Sequence, residues 1–359
     1  MHIGILSMQR VVNYGSFLQA FALKKVLESL GHQCDFLDIK PGEPIKSLKR
    51  TPFYLLKKIA QRFRGGHIVT QVANYYTFRT KVGKYINEGL ELSDFLDNEK
   101  SFDLVIIGSD EVFNCCQYAP YGFSLQLLGK GINANKIITY AASFGFTTID
   151  LLTKYSIVNE VKGALANISA FSVRDQNSAD LIKKILSKDS LLHLDPVFIF
   201  NYDVYERKLP ALGDFILIYT YPNRINSAEE IRAIKKIAQL EKKRLISIGF
   251  YLPWCDNTVI IHPFEVINYF RQASYIITDT FHGTVLSIKY NKQFATFIRQ
   301  SNQQKLGFLL SQFHLQDRVV TDLLQLDTIL DQTINYDQVN QKISVEVERS
   351  LEYLRKELV

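Results

Sequence analysis

The apolar run Leu104-Val-Ile-Ile107 is framed by Asp103 and by Gly108-Ser109-Asp110. Four successive apolar positions leave no polar face, so a strand here is covered on both sides. That is the condition of a central strand in a parallel sheet flanked by helices. Lys136-Ile-Ile-Thr-Tyr-Ala-Ala142 and Ile168 to Val173 repeat the style. Upstream, His2 to Leu6 reads as a strand and Asn13-Tyr-Gly-Ser16 as a turn with capping residues. Phe17 to Leu30 reads as a helix stopped by Gly31, and Cys34 to Ile39 as a second strand. A βαβ start of this kind predicts an α/β fold. The next strand, Leu191 to Leu194, runs into the turn Asp195-Pro196.

A second series follows a loop at 206–214: strand Phe215 to Tyr219, helix Ala228 to Glu241, strand Arg244 to Gly249 and helix Pro263 to Gln272. Then come Ile276-Ile-Thr-Asp-Thr-Phe-His-Gly-Thr-Val-Leu-Ser-Ile-Lys-Tyr290 and strand Phe294 to Ile298. At 359 residues the chain is long for one core, and two α/β domains are predicted. The expected division is 1–207, with a basic helical insertion at about 40–100, then 208–335, then a C-terminal helix in 336–359, amphipathic from Glu346 to Leu358. Two such domains face each other across a cleft, and ligands bind at the carboxyl ends of the strands.

Composition excludes several classes. With 47% hydrophobic and 22% charged residues, the chain has the make-up of a globular protein. The start Met-His-Ile-Gly-Ile-Leu-Ser has no cationic n-region, so no signal peptide is expected, and no apolar run is long enough for a bilayer. Cys34, Cys115, Cys116 and Cys255 form no CxxC pair, which argues against structural zinc or a disulfide framework and makes a reducing cytoplasm the expected compartment. A net charge of +6 does not call for nucleic acid. Between Lys40 and Lys84, however, there are eleven Lys or Arg and one acid, Glu43, with Tyr54, Leu55, Leu56, Ile59 and Phe63 interleaved at near-helical spacing. That segment reads as a helix with one buried and one solvated basic face. Its sharper alternative is a patch that meets the anionic cytoplasmic membrane face or a pyrophosphate-linked acceptor.

Four motifs carry chemistry. Asn13, Tyr14 and Ser16 follow the first strand, where ligand contacts fall. The single Gly15 there lacks the GxGxxG of a dinucleotide fold, and Ser16 reads as an N-cap or as a ligand contact. Ser109 and Asp110 end the central strand. Asp110 caps a helix, accepts a sugar hydroxyl or acts as a general base, while pairing with Glu111 as a metal site is disfavoured because neighbours in a turn point apart. Arg174, at the end of Ser172-Val-Arg174-Asp175, suits bidentate binding of a carboxylate or phosphate, or else pairs with Asp175 or another loop acid. His282 lies at a strand-to-helix junction, where free N–H groups and the helix dipole favour an anion and Gly283 permits close backbone approach, so it holds a phosphate or carboxylate or acts catalytically by moving a proton. Arg299, Lys305 and Arg318 follow downstream. His262-Pro263 reads as helix initiation.

In this order the motifs resemble the polysaccharide pyruvyl transferase family. They comprise Asn13-Tyr-Gly-Ser16 before a Gln-Ala-containing helix, Gly108-Ser-Asp110, Ser172-Val-Arg-Asp175, Asp195-Pro196 and Thr278-Asp-Thr-Phe-His-Gly283. The resemblance spans the first strand to about Arg318. It implies a glycosyltransferase-B-like pair of Rossmann-like domains, phosphoenolpyruvate as donor rather than any cofactor, and a sugar of a cell-surface polysaccharide, or its lipid-linked precursor, as acceptor. The product is a pyruvate ketal. By the same resemblance Arg174, His282 and, less directly, Lys305 are the family's basic residues, and Arg299 or Lys305 replaces the arginine that many members carry two residues before the histidine. Thr280 stands where many members carry arginine. No metal is expected. The rival readings are a glycosyltransferase using a nucleotide sugar and a glycan-binding relative without catalysis.

Overall fold

The computed structural model describes residues 1–43, 45, 67–92, 100–116, 121–207, 210–222 and 224–359. Two parallel sheets organise it. The first has the order β2-β1-β3-β4, from Gln33–Phe36, His2–Leu6, Phe102–Ile107 and Ala134–Thr139. It continues through single bridges, Ile138 to Ala170 and Ala142 to Val173, into the pair β5-β6, Ser172–Val173 and Leu191–Leu192. The second has the order β11-β10-β7-β8-β9, from Phe294–Thr296, Tyr275–Thr278, Phe215–Tyr219, Arg244–Ile248 and Asn257–Val259. Every residue of β7 is buried, as is every residue of β3 from Leu104 to Ile107, so the run that predicted a central strand is one.

Each sheet reverses its winding once. In the first, β2 lies on one side of β1 and β3 on the other. In the second, β10 flanks β7 opposite β8. At such a reversal the loops leaving two adjacent strands part and open a crevice at the carboxyl ends. The loops concerned are 7–13 and 108–116 in the first domain, and 219–224 and 279–282 in the second.

The helix Tyr14–Ser29 is buried nearly all round, because it lies between its own sheet and the second domain. Phe17 and Phe21 meet Phe264 with ring centres 5.3 and 4.9 Å apart, and Tyr202 donates to the Leu18 carbonyl at 2.8 Å. One apolar cluster therefore runs from Ile3 and Leu27 through to Phe270 and Val285. The C-terminal helix, Tyr336–Glu357, spans the predicted 336–359 almost entirely and returns to the first domain. There Tyr353 donates to the Thr139 carbonyl and Ser350 accepts from the Leu194 amide.

Most of the basic stretch, including Tyr54, Leu55, Leu56, Ile59 and Phe63, lies outside the described residues. Its described end is helical from Ile68 to Leu90, with a π-turn at Phe78–Val82. Phe78, Val82, Ile86 and Leu90 recur every four residues and are buried. None of the described helices is long and apolar enough to cross a membrane.

Candidate functional site

The two crevices face each other and enclose a cleft of about 410 Å³. Two helices begin at its walls. Asn13 caps the helix Tyr14–Ser29: its Oδ1 accepts from the Gly15 and Ser16 amides at 2.7 and 3.3 Å. Its amide nitrogen then crosses the cleft to the Tyr221 hydroxyl at 2.6 Å. Thr280 caps the helix Phe281–Lys289 by accepting from the Gly283 amide at 2.9 Å. The Phe281 and His282 amides, the orphan donors of that first turn, have no partner among the described residues. The two helix starts touch: a Cβ on Gly15 would stand 2.3 Å from the His282 ring. Gly283 is equally confined, since a Cβ there would lie 2.2 Å from Thr278 Oγ1. Two positive helix ends thus converge on one space, which favours an anion.

His282 lines this space with its ring largely buried, and its Nε2 has no hydrogen-bond partner among the described residues. The nearest acid is Asp195, whose Oδ2 is 3.5 Å away. Two further cations line the cleft. Lys305 reaches from the second domain to Glu111 in the first. Arg224 stacks on Tyr221 at 4.9 Å, makes a long 3.4 Å bond to the Asp279 carbonyl and lies 3.9 Å from the Asp279 carboxylate. It was not singled out from sequence.

Below the cleft floor is a buried charge network. Arg174 donates to Asp110 Oδ1 at 3.0 Å and to Asp195 Oδ2 at 2.9 Å, and lies 4.3 Å from the centre of the Phe281 ring. Its side chain is 1% exposed, so it is an internal cation rather than a ligand contact. The expected pairing with an acid is real, but Asp175 is not the partner: Asp175 caps the helix Gln176–Leu186 through the Ser178 amide. Asp110 has φ +78° and accepts from Arg174, from Ser16 Oγ at 2.9 Å and from the Glu111 amide. Burial alone would raise its pKa. The charges of Arg174, His282 and Lys305 and the Ser16 hydroxyl instead hold it well below the usual carboxylate range. A carboxylate so engaged is a poor proton acceptor, which corrects the base assignment, and among the described residues no helix directly follows for it to cap. Ser16 is not an N-cap but a residue of the helix that ties Asp110.

Three other expectations are corrected. Tyr14 faces away from the cleft, donating to the Ile261 carbonyl and accepting from its amide across the domain seam. Ser109 is fully buried under the site, within 3.2 Å of Asp195 Oδ2. Arg299 ends in an internal network, bonded to Glu230 Oε1 at 2.7 Å and the Arg224 carbonyl at 2.9 Å. Arg318 is likewise internal, donating to the Ile329 and Gln332 carbonyls. His262 lies between Tyr85 and Phe264, outside the cleft. Asp195, read only as part of a turn, is the acid to which Arg174 and His282 both point. Among the described residues no group of His, Cys, Asp and Glu could hold a metal ion.

A two-domain, all-parallel α/β chain with a charged cleft between facing switch points is a glycosyltransferase-B-like protein. Similar folds occur in Methanocaldococcus jannaschii UDP-GlcNAc 2-epimerase, solved with UDP-GlcNAc and UDP (TM-score 0.50, 10% identity, 100% of this chain and 99% of that one). S. aureus MnaA, solved with UDP, is alike to the same degree (TM-score 0.50, 10% identity, 99% and 96%). At such identities the likeness concerns the fold alone. No curated protein matches the sequence significantly. The family model "Polysaccharide pyruvyl transferase" matches residues 13–301, and the chain belongs to that family. It is a transferase of polysaccharide biosynthesis. The matched segment opens on Asn13 and includes Asp110, Arg174, Asp195 and His282; Lys305 lies just beyond it.

Proposed function

We propose that the cleft binds phosphoenolpyruvate and transfers its three-carbon unit to two hydroxyls of one sugar, forming a pyruvate ketal and releasing phosphate. The observation that carries this reading is a helix start with two free amides and His282, held 3.5 Å from Asp195, in a cleft that Lys305 and Arg224 also line. The arrangement suits a small ligand with two anionic ends. Arg224 and Lys305 are placed for the carboxylate and phosphate, and the helix start adds donors that need no reorganisation.

His282 delivers a proton to the methylene carbon of the donor, and an oxocarbenium-like centre develops at the adjacent carbon. One sugar hydroxyl adds there and loses its proton. Phosphate then leaves with the C–O bonding pair, and the second hydroxyl closes the ketal, also losing a proton. Overall, phosphoenolpyruvate and a diol give a ketal and inorganic phosphate, with no change of oxidation state. Glu111 is the base of this scheme. It is held ionised because, although burial opposes charge, Lys305 more than compensates. A donor phosphate that takes Lys305 leaves Glu111 held by Asn114 alone, with one oxygen open to the acceptor. Asp110 stays anionic and holds Arg174 and Ser16 in place.

Thermal-shift measurements with phosphoenolpyruvate against UDP, GDP and CMP sugars test the donor. The expected result is stabilisation by phosphoenolpyruvate that Lys305→Ala weakens; a shift with a nucleotide sugar alone overturns it. His282→Ala should retain donor binding and lose roughly 10²–10⁴ in phosphate release, and near-normal release would remove the acid role.

A further inference from the structure

We propose that the acceptor sugar binds in a second lobe of the cleft, as an uncharged pyranose stacked on Phe146 and held by the amides of Gln303 and Gln304. This rests on the reading of the chain as a transferase to sugar. The lobe measures about 510 Å³, within the usual range for small-ligand sites. It adjoins the first lobe and shares Phe146, Ser301, Asn302 and Lys305 with it. A ligand lying here therefore reaches the reacting end of a donor bound beside His282.

The two lobes differ in chemistry. Charged side chains from Asp110, Glu111, Arg224 and Lys305 line the first. In the second, Lys305 is the one charged side chain among the described residues, and Glu111 already pairs it. Otherwise it offers Phe146 and Leu151 on the first-domain wall and the segment 300–304 on the other. Gln303 and Gln304 are exposed, with no side-chain hydrogen-bond partner among the described residues. A primary amide carries two donors and an acceptor, which matches neighbouring hydroxyls that each give and take one bond. The Phe146 ring is half-buried and stacks with no other aromatic ring among the described residues, leaving an apolar surface for the C–H face of a sugar.

Both walls are firmly built. The Gly145 amide donates to Ser143 Oγ at 2.9 Å, and Asn177 bonds the Gly145 and Thr147 carbonyls at 3.3 and 3.0 Å, so the turn carrying Phe146 is held on both sides. Opposite, Asn302 accepts from the Arg299 amide and donates to the Asp279 carbonyl, both at 2.7 Å. That fixes the start of the helix Gln303–Gln312, from which Gln303 and Gln304 extend.

The test is to soak crystals of the full chain with methyl glycosides of glucose, galactose and mannose, each with and without phosphoenolpyruvate. A sugar ring against Phe146, with hydroxyls on Gln303 or Gln304, is expected from at least one. Absence of any glycoside from this lobe in every soak overturns the subsite, even with phosphoenolpyruvate in the first lobe. Conversely, a sugar in this lobe with no donor beside His282 keeps the subsite and removes the donor reading. For a glycoside that binds, Phe146→Ala should weaken binding about tenfold in an NMR titration, while Phe146→Tyr and phosphoenolpyruvate affinity stay near the parent. Equal weakening of both ligands by Phe146→Ala would count against the assignment.

Discussion

Gly15 decides where His282 can stand. Its missing side chain lets the imidazole lie against the first turn of the opposite helix, at a distance a methyl group would fill. Gly15→Ala should displace the ring and cost about 1–3 kcal/mol in stability. Pyruvyl transfer should fall further than that loss explains, since a small misplacement at a reacting centre can lower the rate by about 10²-fold. Unchanged activity with unchanged melting would mean the ring does not need this contact. At this scale the sequence was partly legible. His282, Asn13 and Ser16 could be found because a strand end followed by capping residues marks a helix start, and backbone geometry alone puts those side chains in the cleft. Arg174, Ser109 and Tyr14 were located but misplaced in depth, because nothing local distinguishes a side chain above the floor from one beneath it. Arg224, Glu111 and Asp195 gain their meaning from Asp279, Lys305 and His282, 55 to 194 positions away, and no spacing rule reaches that far.

At the scale of elements, the apolar runs identified both central strands because burial on two faces leaves a continuous hydrophobic signal. The last helix fills the expected 336–359, although its amphipathic face reads only from Glu346. Its first turns, from Asn335 and Tyr336, are too polar to signal amphipathicity, and what holds the element is its return to the first domain. At that seam His193 lies 4.6 Å from the Tyr353 ring and bonds Ser172 Oγ at 2.8 Å. Burial, with a smaller push from Arg349, lowers its pKa from 6.5 to about 4. The folded protein keeps the ring neutral, while the unfolded chain takes up a proton below pH 6.5. His193 therefore lowers stability as pH falls from 6.5 to about 4. The loss is on the order of 3 kcal/mol at most. His262, likewise lowered to about 4 by burial, acts in the same window and sense. Melting temperature followed from pH 7 to 4 should drop, and the drop should be shallower in His193→Asn. An identical slope in that variant would show that the seam does not sense the proton.

The whole molecule is two sheets whose winding reversals face each other, and this much could be argued from the order of strands and helices. The cleft between them could also be expected; its two lobes could not, because the walls come from loops whose positions the second domain sets. The apolar cluster is continuous behind the cleft, while at the front Asn13 bonds Tyr221 and Lys305 pairs with Glu111. Those two contacts cross the cleft from one domain to the other. An anionic donor must compete with Glu111 for Lys305 before it can settle. In kinetic terms the cleft behaves as a gate with its own opening rate. In stopped-flow mixing, the observed association rate should rise with phosphoenolpyruvate and then level off, and Glu111→Gln should raise the plateau. A strictly linear dependence in the parent would show an entrance that is always open. With a gate of this kind, the frequency at which one lysine leaves one glutamate sets the upper limit on how fast the enzyme can be loaded.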